Sequence, residues 1–144
     1  MRKNGGNMDT NNFTLRGKRI LICEDEGLIQ MQWKQLLDFH GASVIGFTPS
    51  GDECVDLALK DRPDIVLMDV GLTGIDGWEA SRRILQQWDT CIVMVTAQPR
   101  NLAEETVKNI KISGYIEKPA SGADFIQKLC KYYSEAQHGN SSEQ

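Results

Sequence analysis

Long apolar runs are missing from this chain. No stretch approaches the roughly 20 residues needed to span a bilayer, and the N-terminus MRKNGGNMDTNN has no apolar core of the kind a secretory signal carries. The expectation is a soluble, cytoplasmic protein with no membrane partner. Basic clusters are missing too. Lys and Arg number 16 against 20 Asp and Glu, and they gather nowhere into a patch, which leaves no electrostatic case for direct nucleic-acid binding. Histidine is scarce: His40 and His138 have no Cys or His at ligand spacing, so a zinc site lacks support. Cys23, Cys54, Cys91 and Cys130 are far apart with no CxxC pair, which removes the zinc-ribbon and thioredoxin readings. They are expected to be reduced thiols serving as small apolar residues. There is no internal repeat and no low-complexity segment.

What the chain does have is a series of short apolar runs separated by helical patterns. Ile65-Val66-Leu67-Met68 runs without a polar break between Pro63 and Asp69, as a strand buried on both faces does. Arg19 to Cys23 and Cys91 to Val95 read the same way, and Ser43 to Phe47 and Gly114 to Ile116 read as shorter strands. Between them, Leu28 to His40 places Ile29, Trp33, Leu36, Leu37 and His40 on one helical face, with Gly41 as its C-terminal stop. Ser50 or Asp52 caps a second helix carrying Cys54, Val55, Ala58 and Leu59. Further helices are expected over Trp78 to Trp88, Leu102 to Ile110 and Ala123 to Ala136. Five strands alternating with five helices imply a parallel sheet covered on both faces. Right-handed crossovers make a doubly wound, flavodoxin-like (β/α)5 α/β sheet the most economical arrangement. Residues 1–16 read as a flexible N-terminal tail, 17–137 as the folded domain, and 138–144 as a flexible C-terminal tail.

The polar residues that end the strands carry the chemistry. Strand one delivers Glu24 and Asp25, strand three Asp69, strand four Thr96, and strand five Lys118. In a parallel sheet these ends share one edge, the edge where open α/β sheets bind ligands. Clustered carboxylates repel one another and call for a cation. An all-oxygen set favours Mg²⁺, with Mn²⁺ as the alternative, over zinc. An ammonium and a hydroxyl beside such an ion can bind phosphoryl oxygens. An Asp can itself be the nucleophile that forms an aspartyl phosphate.

ILICEDE, DIVLMDVGLTGIDG, VMVTA and GYIEKPA, in that order and at these spacings, make the chain from about Lys18 to Ala136 resemble the receiver domain of two-component response regulators. The resemblance implies strand order 2-1-3-4-5, the order found in the family's chemotaxis member. It implies that Asp69 is the phospho-acceptor, that Glu24, Asp25, Asp69 and the backbone carbonyl of Gly71 hold Mg²⁺, and that Thr96 and Lys118 bind the phosphoryl group. Thr96 and Tyr115 would be the switch residues, and the Lys118-Pro119 bond would be cis. The implied phosphodonor is a phosphohistidine on a sensor histidine kinase or a histidine phosphotransfer protein. The implied output surface is the face of helix four, strand five and helix five, which would engage a downstream protein partner, an output domain of a longer chain, or a second copy in a homodimer. Such a chain is a signalling domain rather than an enzyme, with self-phosphorylation from small donors and autodephosphorylation as its only turnover. The alternative is a phosphorylation-independent interaction domain with the same fold.

The sequence departs from the family pattern at two loop positions. Thr73 stands where a proline is frequent, and it is expected to leave the loop freer. Gly71 has no side chain where many relatives have one that influences dephosphorylation, with Gln98 at the other such position. Glu24 in place of Asp is a mild variation.

Overall fold

The computed structural model describes residues 14–97 and 110–142. Residues 102–109 of the helix expected over 102–110, and Gln98, lie outside them. Five parallel strands stand in the order β2-β1-β3-β4-β5. In chain order they are β1 (Arg19–Cys23), β2 (Ser43–Thr48), β3 (Ile65–Met68), β4 (Cys91–Thr96) and β5 (Gly114–Glu117). The described helices are α1 (Gly27–Phe39), α2 (Gly51–Asp61), α3 (Gly77–Gln87) and α4 (Gly122–Ser142).

The unbroken apolar runs are explained by the position of their strands. β3 lies between β1 and β4, with Leu67 paired to Ile22 on one side and Val93 on the other. All four of its residues are buried. Side chains alternate across the sheet, as strand geometry requires. Ile20, Ile22, Ile65, Leu67, Val93 and Val95 meet Trp33 and Leu37 of α1 and Phe125 and Leu129 of α4. Leu21, Val66, Met68, Ile92 and Met94 meet α2 and α3 on the other face, through residues that include Ala58, Trp78 and Ile84. Each such fully buried aliphatic side chain contributes on the order of 1.5–3 kcal/mol. Trp33 and Phe125 stack with ring centroids 5.6 Å apart, tying α1 to α4.

Helix boundaries follow local capping chemistry. Ser50, not Asp52, caps α2, its hydroxyl accepting from the Glu53 N–H at 3.1 Å. Arg62, at φ 49°, stops α2 in the left-handed conformation. Asp76 caps α3, accepting from the Glu79 N–H at 2.9 Å, a cap the sequence pattern did not single out. α4 runs on to Ser142, beyond Ala136. Leu15, which the sequence pattern leaves in the N-terminal tail, is 2% exposed and packs in the α1/α4 core. Its burial adds an apolar anchor just ahead of β1, and the Gly17 N–H donates to the Gly41 carbonyl at 2.8 Å.

The expectation of four reduced cysteines is overturned. Cys23 and Cys54 are joined in a disulfide with Cα atoms 6.2 Å apart, while Cys91 and Cys130 are free. The crossover from β1 to α2 brings the two sulfurs together across 31 residues, a juxtaposition that short cysteine spacings cannot reveal.

Candidate functional site

The site forms where β1 and β3 end. Glu24 follows β1, and its N–H donates to the Thr48 carbonyl at 3.0 Å, so the chain stays in register with β2 for one residue beyond the strand. Asp69 follows β3 in the same way, its N–H donating to the Cys23 carbonyl at 2.9 Å. These two extra ladder bonds hold the backbones of Glu24 and Asp69 side by side. Carboxylate oxygens of Glu24, Asp25 and Asp69 lie within 4.8 Å of one another. Asp25 is exposed, Asp69 is buried, and Glu24 is 0% exposed.

The cation that answers this charge is Lys118, just past β5. Its Nζ donates to Glu24 Oε1 at 2.8 Å and lies 3.3 Å from Asp69 Oδ2. The Lys118 N–H donates to the Thr96 carbonyl at 2.9 Å, which fixes where the side chain starts. The ammonium also stands 5.6 Å from the centroid of the Trp33 ring, a cation–π distance. Sequence reasoning gave Trp33 only a packing role, and its position on the core face of α1 gave no sign of this contact. Burial raises the Glu24 carboxyl above the usual range, and the hydrogen bond from Lys118 offsets this only in part. Burial alone would lower the Lys118 ammonium, but its bond to Glu24 and the field of Asp69 hold it above the ordinary lysine range. Lys118 is therefore a full positive charge at neutral pH.

Asp69 is oriented by its own neighbour. The Val70 N–H donates to Oδ1 at 2.8 Å, and Oδ2 faces Lys118. The loop after Asp69 folds back tightly. The Leu72 N–H donates to the Val70 carbonyl at 3.0 Å, which puts Gly71 at the middle of a three-residue turn. Gly71 is exposed, and a Cβ built there would meet nothing within 4 Å. Gly77 is the opposite case, because a Cβ there would sit 2.1 Å from the Asp69 carbonyl oxygen. Only glycine lets the first turn of α3 lie against the Asp69 backbone.

Thr73 does not leave the loop free, contrary to the sequence expectation. Its N–H and hydroxyl both donate to the Pro49 carbonyl, at 2.9 and 3.1 Å, and its own carbonyl accepts from the Gly51 N–H at 3.0 Å. The loop is stitched to the turn between β2 and α2. Thr96 is 2% exposed at the end of β4, opposite Glu117 of β5. Tyr115 lies on β5 beside Met94 and packs partly against the α2/α3 core, and its carbonyl accepts from the Tyr132 hydroxyl at 3.2 Å. The Lys118-Pro119 peptide is cis. Glu24, Asp25, Asp69 and Lys118 thus form one constellation, with Thr96 and Tyr115 on the neighbouring strands.

This donor set fits a small hard cation. It offers three carboxylates, no thiolate or imidazole, and one fully buried carboxylate whose partners in the structure are Lys118 and the Glu26 N–H. Comparison with known proteins agrees. The family model for the response regulator receiver domain matches residues 20–130.

The chain belongs to the response regulator receiver family.

Among curated relatives, the receiver is 35% identical over 112 residues to the transcriptional regulatory protein PdtaR of Mycobacterium tuberculosis, a match over 78% of this chain and 55% of that protein. It is 30% identical over 118 residues to the response regulator GacA of Pseudomonas aeruginosa, over 81% of this chain and 55% of GacA. The chain therefore spans about half the length of these relatives. Among solved structures, the receiver domain of the sensor histidine kinase PA1611 from Pseudomonas aeruginosa, with a magnesium ion coordinated in its active-site cleft, is similar at a TM-score of 0.74 and 27% identity, covering 82% of this chain and 98% of that one. The signal receiver domain of a modulated diguanylate cyclase from Desulfovibrio desulfuricans is similar at 0.75 and 28% identity, covering 89% of this chain and 99% of that one. The fold is the receiver fold, and among the described residues no helix is long and apolar enough to cross a membrane.

Proposed function

We propose that this receiver accepts a phosphoryl group on Asp69 from a phosphohistidine of a histidine kinase or a histidine phosphotransfer protein. The observation that carries the reading is the Asp69 carboxylate, fixed at Oδ1 by the Val70 N–H and flanked by Glu24, Asp25 and Lys118. A carboxylate oxygen of Asp69 attacks phosphorus, and a P–O bond forms as the P–N bond of the donor breaks. The electron pair leaves with the imidazole nitrogen. Glu24, Asp25, Asp69 and the Gly71 carbonyl would hold Mg²⁺, which supplies the charge that offsets the phosphoryl oxygens in a loose transition state. Lys118 would shift from Glu24 and Asp69 to a phosphoryl oxygen, and the Thr96 hydroxyl would donate to another. The Lys118 move needs no long excursion, because its ammonium already touches both carboxylates.

Phosphorylation then alters an output face that, among the described residues, includes β5 and α4. Tyr115 on β5 would respond to Thr96, a reading supported only by the two residues standing on paired neighbouring strands. That face would engage a downstream partner, an output domain of a longer chain, or a second receiver. The domain, over about 17–137, acts as a signalling switch whose turnover is limited to its own acyl phosphate. Intact-mass measurement after incubation with acetyl phosphate tests the reading. One phosphoryl adduct is expected with Mg²⁺ and none with excess EDTA. A folded protein that takes no label from acetyl phosphate or from a histidine kinase would sink it.

A further inference from the structure

The disulfide joins two segments that both bear on the phosphoryl site. Cys23 is the last residue of β1, directly before Glu24 and Asp25, and its carbonyl accepts the Asp69 N–H at 2.9 Å. Cys54 lies in the first turn of α2, and its N–H donates to the Ser50 carbonyl at 2.9 Å. The turn that starts this helix, Pro49 to Gly51, is the one stitched to Thr73 in the loop that carries Gly71. The Cys54 sulfur also lies 3.9 Å from that of Met68, the residue before Asp69. A covalent link between Cys23 and Cys54 thus closes a frame around the strand end that supplies Glu24 and Asp25 and the loop that follows Asp69.

We propose that Cys23 and Cys54 are a reversible thiol–disulfide pair that sets how tightly this site holds its divalent cation. The inference rests on the reading of the acidic cluster as a Mg²⁺ site. Where thiols are kept reduced, the disulfides that do form are typically transient and redox-sensing. The exchange partner is a small-molecule or protein disulfide. One cysteine thiolate displaces one thiol from it to give a mixed disulfide, and the second cysteine thiolate then displaces the other thiol. Two electrons pass to the external disulfide, which leaves as two thiols, and the two cysteines supply the two protons. Reduction by a dithiol reverses each step. Both cysteines are 0% exposed, so exchange passes through a local opening of the first turn of α2. In the oxidised form the frame is closed and the ligands stay in register. In the reduced form α2 and the loop stitched to it lose their covalent tie to β1 and are held to it by packing, which is looser.

The test uses the whole chain in two measurements. The first is alkylation in denaturant after equilibration in glutathione buffers of graded ratio. Two modified cysteines are expected at the oxidising end and four at the reducing end, reversibly. The second is a Mg²⁺ titration followed by tryptophan fluorescence on each form. The oxidised form should bind at least about threefold more tightly, within the range over which residues along a coupling path act. Cys54→Ala, a small buried replacement away from the ligands, should show the reduced-form affinity in every buffer. Four modified thiols in all buffers, or equal Mg²⁺ affinity in the two forms, overturns this proposal and leaves the phospho-acceptor reading standing. No Mg²⁺ binding in either form overturns both.

Discussion

The Thr73 N–H and hydroxyl converge on a single acceptor, the Pro49 carbonyl, at 2.9 and 3.1 Å. A proline at position 73 would have no N–H to give. The resemblance to the family leads one to expect proline there, and this chain replaces a stiff residue with a stitched one. Thr73→Pro should therefore destabilise the fold by about 1–2 kcal/mol, since proline is unfavourable where the N–H is already used. Thr73→Val keeps the N–H and should cost less, about 0.5 kcal/mol. Urea unfolding of both variants checks the order, and a Thr73→Pro variant as stable as wild type would contradict it.

Lys118 is the partner of a carboxylate with no access to water. Lys118→Met leaves Glu24 buried beside Asp69 without a cation, and the metal-free protein should lose about 3 kcal/mol of stability. Mg²⁺ should restore a larger share of that loss than it adds to wild type, because it replaces the missing charge. Thermal melts with and without Mg²⁺ measure both effects. Equal Mg²⁺ responses in the two proteins would show that Glu24 is not part of the cation site.

A Cβ at Gly71 would stand in open space, so on the proposed reading water has free approach to an acyl phosphate on Asp69. Gly71→Asn should lengthen the life of phospho-Asp69 by a factor of ~3, equivalent to about 0.6 kcal/mol on the hydrolysis barrier. The decay of the phosphorylated mass after removal of donor gives this directly. An unchanged decay removes the loop opening as a determinant of lifetime.

Cys91 is held as a neutral thiol. Burial pushes it up to about 11, although a hydrogen bond with Ser113 pulls the other way. Its folded value lies above the unfolded one, so its contribution to stability is complete below the ordinary thiol range and fades as pH rises through about 11. Near pH 9, where an ordinary thiol is half ionised, iodoacetamide should leave Cys91 unmodified in the folded protein and label it once urea is added. Labelling at equal rates in both conditions would contradict this.

The sheet and most of the site are legible in the sequence for one reason. Buried parallel strands are continuous apolar runs, and the polar residues that follow them mark one edge, so Glu24, Asp25, Asp69 and Lys118, which the structure brings together, can be assigned to that edge from pattern alone, with Thr96 at the end of the neighbouring strand. Contacts that depend on packing between segments cannot be placed this way. The pairing of Cys23 with Cys54 is set by how α2 docks on β1. The grip of Thr73 on Pro49 is a bond between two loops, and neither residue type announces it. Trp33 reads as a core residue because it is one, and its nearness to Lys118 arises only when α1 and the end of β5 meet. Leu15 lies in a short, mostly polar stretch with Phe13 as its one apolar neighbour, too little periodicity to reveal its burial.

On the proposed reading, Asp69 itself becomes phosphorylated. Wild type and Asp69→Asn, each incubated with acetyl phosphate and Mg²⁺, can be treated with borohydride, which reduces an aspartyl phosphate, and then mapped by peptide mass. The account predicts reduction at residue 69 in wild type and none anywhere in Asp69→Asn. Trapping at another carboxylate, or equal labelling of the variant, would contradict it.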